Sequence, residues 1–199
     1  MAVSAVLAGP TDVEALEDVL QAAFWDDPVM TFLFPDAPSR ARRSARLFRA
    51  LLHRHYLPMR TVWTTADQTG AALWAPPGHW KLPTAQVVRS LPAVAMSLGR
   101  HAPRSLRFMD EIDRIHPGDP HWYLGVLGTD PPHQGRGIGS ALMAPVLTRC
   151  DAEGVPAYLE SSKQSNVAFY ARHGFAVVGE VQPRGGPTLY RMWREPQRP

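Results

Sequence analysis

Gln134-Gly135-Arg136-Gly137-Ile138-Gly139 is the stretch on which the reading of this chain turns. It stands between a run that reads as a strand, Trp122 to Thr129, and one that reads as a helix, Ile138 to Ala152. Three glycines in five positions leave backbone N–H groups bare, so an anion can approach them closely. The following helix adds its own unpaired N–H groups and the positive end of its dipole. Such a bed suits a pyrophosphate, with the amides of Gly135, Arg136, Gly137, Ile138, Gly139 and Ser140 as its expected ligands.

Other phosphate loops compete with this reading. A dinucleotide-binding fold also sets a glycine loop after a strand, with an acidic residue about 20 residues on, where Glu160 lies. Here the third glycine comes one residue early. The loop is also late in the chain, which leaves too few residues for the second half of a doubly wound sheet. A Walker-type loop is excluded, because no Gly-Lys-Ser/Thr ending follows. A tight strand–helix turn without a ligand is the plain alternative.

Outward from the loop, the pattern alternates. Before it, Ala2 to Leu7 reads as a short strand, and Thr11 with Glu14 reads as a capping box opening a helix with Val13, Leu16, Leu20, Ala23 and Phe24 on one stripe. Trp25-Asp26-Asp27-Pro28 ends that helix, and a second fits Ser39 to Tyr56. Thr61 to Thr65 and Ala71 to Trp74 read as strands joined by a turn. The region from about 76 to 120 is proline-interrupted. It reads as a helical insertion with helices at Ala85 to Leu98 and Pro103 to Ile115. After the loop, Pro145 lies inside the helix and should kink it, and Gly154 stops it. A strand (Ala157 to Glu160), a helix (Ser165 to His173) and two strands (Phe175 to Val181, Thr188 to Trp193) close the chain. The class is α/β, in one domain over residues 1–199.

Bulk properties narrow the function. The 199 residues are 45% apolar and 20% charged, enough to build a substantial core. The net charge of +3 rests largely on Arg40, Arg42, Arg43, Arg46 and Arg49, which read as a solvated helix face rather than a nucleic-acid surface. The lone Cys150 excludes an internal disulfide and a multi-cysteine metal site. No signal-peptide pattern opens the sequence, and no apolar run reaches the about 20 residues of a membrane helix. A cytoplasmic protein without membrane, nucleic-acid or metal partners is the expectation, as a monomer or homodimer.

About 30 residues after the loop comes Asn166-Val167-Ala168-Phe169-Tyr170-Ala171-Arg172-His173-Gly174-Phe175. With Gln134, Gly137 and Gly139 meeting an Arg/Gln-x-x-Gly-x-Gly/Ala signature, and Tyr170 preceding Gly174-Phe175, the chain resembles the GCN5-related N-acetyltransferase (GNAT) superfamily. Within it, Pro132-His133-Gln134-Gly135, Leu159-Glu160 and Phe169-Tyr170 are similar to the puromycin N-acetyltransferase group.

The resemblance implies a mixed, mostly antiparallel sheet of about six or seven strands flanked by helices, splayed between the fourth and fifth. It implies acetyl-CoA as cosubstrate, no metal, and a primary amine of a small molecule as acceptor. A sensor that binds acyl-CoA without catalysis and a peptide or protein acetyltransferase are the alternatives. The resemblance assigns Leu127, Gly128 and Thr129 to the cofactor's pantetheine arm, with one of their N–H groups facing the thioester oxygen. Gln134 belongs to its loop, and Asn166 either touches the cofactor or caps a helix. Tyr170 takes the place of the general acid and Glu160 that of the general base. Trp25, Trp74, His79 and Trp80 either line an acceptor pocket or pack in the core. Asp26 and Asp27 either attract a cationic acceptor or signal a turn.

Overall fold

In the computed structural model, which describes residues 3–81 and 98–197, one seven-stranded sheet runs through the protein. Its strands are β1 (Ala5–Leu7), β2 (Val62–Thr65), β3 (Gly70–Ala75), β4 (Trp122–Thr129), β5 (Ala157–Ser161), β6 (Ala176–Val181) and β7 (Leu189–Arg194), in the order β1-β2-β3-β4-β5-β7-β6. Every pairing is antiparallel except β4 with β5. The helices around it are α1 (Val13–Ala23), α2 (Pro28–Leu33), α3 (Ala37–Leu51), α4 (Ala102–Ile115), α5 (Ile138–Glu153) and α6 (Val167–Ala171).

Alternating side chains on β3 and β4 feed two cores, one on each face of the sheet. On the first, Leu16 and Leu20 of α1, Phe48 of α3 and Phe108 of α4 cover Ala71, Leu73 and Val126. On the second, α5 lays Leu142, Met143, Val146 and Cys150 over Ala72, Trp74 and Leu124. Those four positions fall on one side of a 3.6-residue helix, and each fully buried aliphatic side chain contributes roughly 1.5–3 kcal/mol. Trp74 is wholly buried here, so of the two fates open to it, packing is the one realised. Cys150 is also wholly buried, and burial pushes its thiol up to about 12, which leaves it an inert packing group.

Two irregularities shape β4. Opposite β3, Leu73 pairs with Val126 but Trp74 pairs with Leu124, so Gly125 is an extra residue that bulges the strand. A side chain there would run into the Tyr56 hydroxyl, which lies against the bare α-carbon. Opposite β5, the parallel pairing covers only Trp122↔Ala157 and Tyr123↔Tyr158. Beyond that point β4 keeps its β3 partner out to Thr129, while β5 turns its pairing to β7. The sheet therefore splays between its fourth and fifth strands, as a GNAT fold requires.

Most expected elements form within two or three residues of their anticipated ends. The N-terminus of α1 differs. Its first turn is a short 3-10 segment (Pro10–Asp12), and Asp12 rather than Thr11 does the capping, accepting the Gly9 N–H at 2.7 Å. Helix α2 was not legible as a separate element; Asp27 creates it by accepting the N–H groups of Val29 (2.9 Å) and Met30 (3.1 Å). The helix expected from Ala85 to Leu98 lies, apart from Leu98, outside the described residues. Pro145 does sit inside α5, and Gly154 stops that helix at φ +67.

Candidate active site

The splay opens a cleft of about 610 Å³ along the freed edge of β4. One wall is Leu127, Gly128 and Thr129 of β4. The floor is the glycine loop and the start of α5, with Gln134, Gly135, Gly137, Ile138, Gly139 and Ser140. The far wall is Asn166, Phe169 and Tyr170, at and within α6. Eleven of the thirteen residues assigned from sequence to the site, all but Glu160 and Arg136, line this one cavity, with Tyr170 at its wall.

The three loop glycines have different jobs. Gly135 (φ +75) and Gly137 (φ +80) adopt left-handed backbone that L side chains rarely take, and nothing lies within 4 Å of where a Cβ would stand. Gly139 is needed for packing instead, because a Cβ would meet the Phe169 ring at 3.1 Å. The first bond inside α5 runs from Ala141 N–H to Gly137 O at 3.0 Å, so the N–H groups of Ile138, Gly139 and Ser140 precede the helical ladder and point out of its end. Open space over left-handed glycines, next to a helix N-terminus, is a bed that fits a phosphate group.

Gly128 is a fourth constrained glycine. Leu20, Ala23 and Phe24 of α1 crowd the position its Cβ would take, at 2.8–3.1 Å. The helix thereby closes down on β4 and puts Ala23 and Phe24 into the cleft lining. Ser140 is held by His173, whose Nε2 lies 3.0 Å from the Ser140 hydroxyl while Nδ1 lies 2.9 Å from the Phe169 carbonyl. That clamp ties the loop end of α5 to the end of α6.

Tyr170 is 8% exposed, and burial raises its phenol well above the ordinary range, with a smaller push from Asp27. The hydroxyl therefore stays protonated at neutral pH. Asp27, also in the lining, is 5% exposed; besides capping α2 it accepts a hydrogen bond from Ser162. Its carboxylate is thus engaged as a structural cap, while Asp26 pairs with Lys163 at 2.6 Å. Asn166 stands at the N-cap position of α6, makes no side-chain capping bond and is among the cleft-lining residues. Arg136 turns away, donating to the Pro132 carbonyl at 3.1 Å.

Glu160 is not in the cleft lining. It lies at the apex of the splay, two residues past the last β5 residue paired to β4, and so on the same face as Tyr158 and Tyr123. Its side chain is 6% exposed, and its Oε1 sits 3.5 Å from His116 Nδ1. Burial raises the phenols of Tyr56, Tyr123 and Tyr158, and the Glu160 charge raises each further. Trp80 stacks on His116 with ring centroids 3.6 Å apart. Trp25 is 42% exposed, with Arg40 over its ring.

His133, Lys163, Ser165 and Arg172 also line the cleft and were not anticipated. Only His133, inside the loop motif, carried a signal that could have found it. Among the described residues, no group of three or more His, Cys, Asp and Glu side chains is placed to hold a metal ion. No described helix is long and apolar enough to cross a membrane.

Comparison with known proteins agrees with this geometry. Residues 104–175, which span α4 to the end of the α6 region, match the model of the acetyltransferase (GNAT) family. The chain is 29% identical to an uncharacterized N-acetyltransferase of Schizosaccharomyces pombe, over 94% of this chain and 81% of that protein. A solved structure described as histone acetyltransferase HPA2 and related acetyltransferase, from Corynebacterium glutamicum, superposes with a TM-score of 0.77 at 25% identity, covering 100% of this chain and 99% of the other. Arylalkylamine N-acetyltransferase 2 from Aedes aegypti shares the fold, with a TM-score of 0.66 at 11% identity over 99% and 100% of the two chains.

A splayed mixed sheet with a glycine loop at the mouth of the splay is the architecture of an acetyltransferase. Within that class, the chain resembles the GNAT family, whose model matches residues 104–175.

Proposed function

We propose that the protein transfers the acetyl group of acetyl-CoA directly to a primary amine of a small molecule. The observation that carries this reading is the single cleft in which the bare amides of the glycine loop, the unpaired edge of β4 and the Tyr170 hydroxyl meet. Acetyl-CoA supplies the activated acetyl thioester. Gly135 to Ser140 offer the amides and helix end that hold its diphosphate. Leu127 to Thr129, freed from β5, offer main-chain partners for the pantetheine amides, and an N–H for the charge that develops on the carbonyl oxygen.

The proton balance assigns the side chains. The amine nitrogen bonds to the carbonyl carbon, the carbon–sulfur bond breaks, and the sulfur needs a proton. Tyr170, kept neutral by burial, donates it and is reprotonated from water. The nitrogen sheds a proton to water in the cleft, and Glu160, behind the lining at the apex of the splay, receives it from that water. The small-amine acceptor is favoured by the fold shared with the Aedes arylalkylamine enzyme. The Corynebacterium relative's description favours a second reading, in which a protein or peptide amine is the acceptor.

Thiol release from acetyl-CoA, measured over a panel of small amines and peptides, tests the proposal. Turnover on small amines, lost in Tyr170→Phe, is expected. Turnover on peptides alone transfers the case to the second reading, and a folded protein inactive on every acceptor defeats both.

A further inference from the structure

Behind Glu160, away from the cleft, stands a chain of polar groups that the acetyl transfer described above does not use. His121 Nδ1 lies 2.6 Å from the Asp119 carbonyl oxygen. A carbonyl only accepts, so Nδ1 of His121 carries hydrogen and Nε2 of the neutral ring carries a lone pair. His116 Nε2 lies 2.9 Å from that Nε2, and must therefore be the donor. The remaining nitrogen of a neutral His116, Nδ1, is then a lone pair aimed at Glu160 Oε1, 3.5 Å away. One main-chain carbonyl thus orients both imidazoles, and the open end of the chain meets the carboxylate.

The side chain of His116 is 2% exposed, and His121 is 3% exposed. Trp80 stacks flat on His116, and Tyr123 and Tyr158 meet its edge at 4.8 and 5.0 Å. Burial also lowers the basicity of His121, which keeps it the neutral acceptor this direction needs. The elements packed around the cluster bring Tyr56, Tyr123, Tyr158, Arg191, His55 and Lys81. Arg191 donates to the Tyr158 hydroxyl at 3.3 Å, and Lys81 lies over Trp80 and pairs with Asp113. Two buried histidines joined by a hydrogen bond, 3.5 Å from a buried carboxylate oxygen that has no hydrogen-bond partner, exceed what packing alone asks for.

We infer that His116 and His121 are positioning residues forming a proton relay, in which a proton accepted by Glu160 passes reversibly to His116 Nδ1. This rests on the reading of Glu160 as the group that receives the amine's proton. The amine N–H bond breaks, its proton passes through water to the Glu160 carboxylate, and the carboxyl O–H then breaks as the His116 Nδ1–H forms. The charged His116 has both N–H groups satisfied, by His121 Nε2 and by the regenerated carboxylate. When product leaves, the proton returns through Glu160 to water.

Two kinds of measurement test the relay. In kinetics, His116→Gln can hydrogen bond but cannot take up a proton, whereas His116→Leu can do neither. Both are expected to lower kcat by roughly ten- to hundredfold, with each KM within about twofold of wild type. His121→Asn, which keeps the bond to Asp119 but removes the acceptor for His116, is expected to behave alike. Wild-type kcat in His116→Gln would show that the ring only fills space, and would overturn the relay.

Independently of turnover, long-range 1H–15N NMR of the free protein should find hydrogen on Nδ1 of His121 and on Nε2 of His116. Hydrogen on Nε2 of His121 reverses the chain and overturns the inference. Should the protein acetylate no acceptor, the reading of its function falls, and this tautomer pattern by itself decides whether the relay exists.

Discussion

Gly137→Ala separates what the glycine loop does for the fold from what it does for the ligand. Gly137 sits at φ +80, directly before the first turn of α5. An alanine Cβ would find nothing within 4 Å, so the substitution adds no clash. Its cost is the left-handed backbone, about 1–2 kcal/mol for an L residue. For a chain of this length that corresponds to a fall of about 2–8 °C in Tm. The methyl would project where the pyrophosphate is expected to lie, so KM for acetyl-CoA should rise roughly tenfold or more, about 1.4 kcal/mol of lost binding. Differential scanning fluorimetry and initial rates at varied acetyl-CoA measure the two effects separately. A lower Tm with unchanged KM would show that the loop's conformation matters but no ligand lies over it. An unchanged Tm would refute the strain argument itself.

Tyr170→Phe should lower kcat about 10²–10⁴-fold while leaving KM near wild type, because burial keeps the phenol a proton donor throughout the neutral range; steady-state kinetics with the best amine from the panel decides. Gly125→Ala should displace the Tyr56 hydroxyl that lies against the bulge, costing about 1–3 kcal/mol by overpacking. Urea unfolding checks it, and a neutral result would mean the bulge yields. Arg194, 3% exposed, is held by Asp151 through two bonds of 2.8 Å, so Asp151→Asn should destabilise the protein by roughly 3 kcal/mol at neutral pH. Those bonds hold the Asp151 carboxyl below its ordinary 3.8. The stability it adds is complete above that value and is lost as pH falls through the lower folded value, so chemical denaturation in this acid window should show a slope in wild type that Asp151→Asn lacks.

Some parts of this protein were legible residue by residue. Trp122 to Thr129 stops at Pro131-Pro132, and the strand forms with those ends. Gly135 and Gly137, read as leaving the loop's N–H groups bare, take left-handed backbone with open space above it. These are local matters of period, turn chemistry and cap geometry, which neighbouring residues settle.

Other features depended on approaches between distant segments, and no local pattern carries them. The Thr11–Glu14 pair had the form of a capping box, yet Asp12 won because its carboxylate reaches both Gly9 N–H and the Gln68 amide, 56 residues on. The second carboxylate oxygen of the Asp27 cap is held by Ser162, which folds against it from just past the end of β5. His116 and His121 flank a loop of unremarkable sequence; the parallel pairing of β4 with β5 sets them against Glu160, and Trp80, Tyr123 and Tyr158 close them in. Sequence alone determined most of the elements and the glycine turn, since backbone conformation answers to a residue and its near neighbours. Tertiary structure decided which buried polar groups share protons, since that depends on distances between strands and loops far apart in the chain.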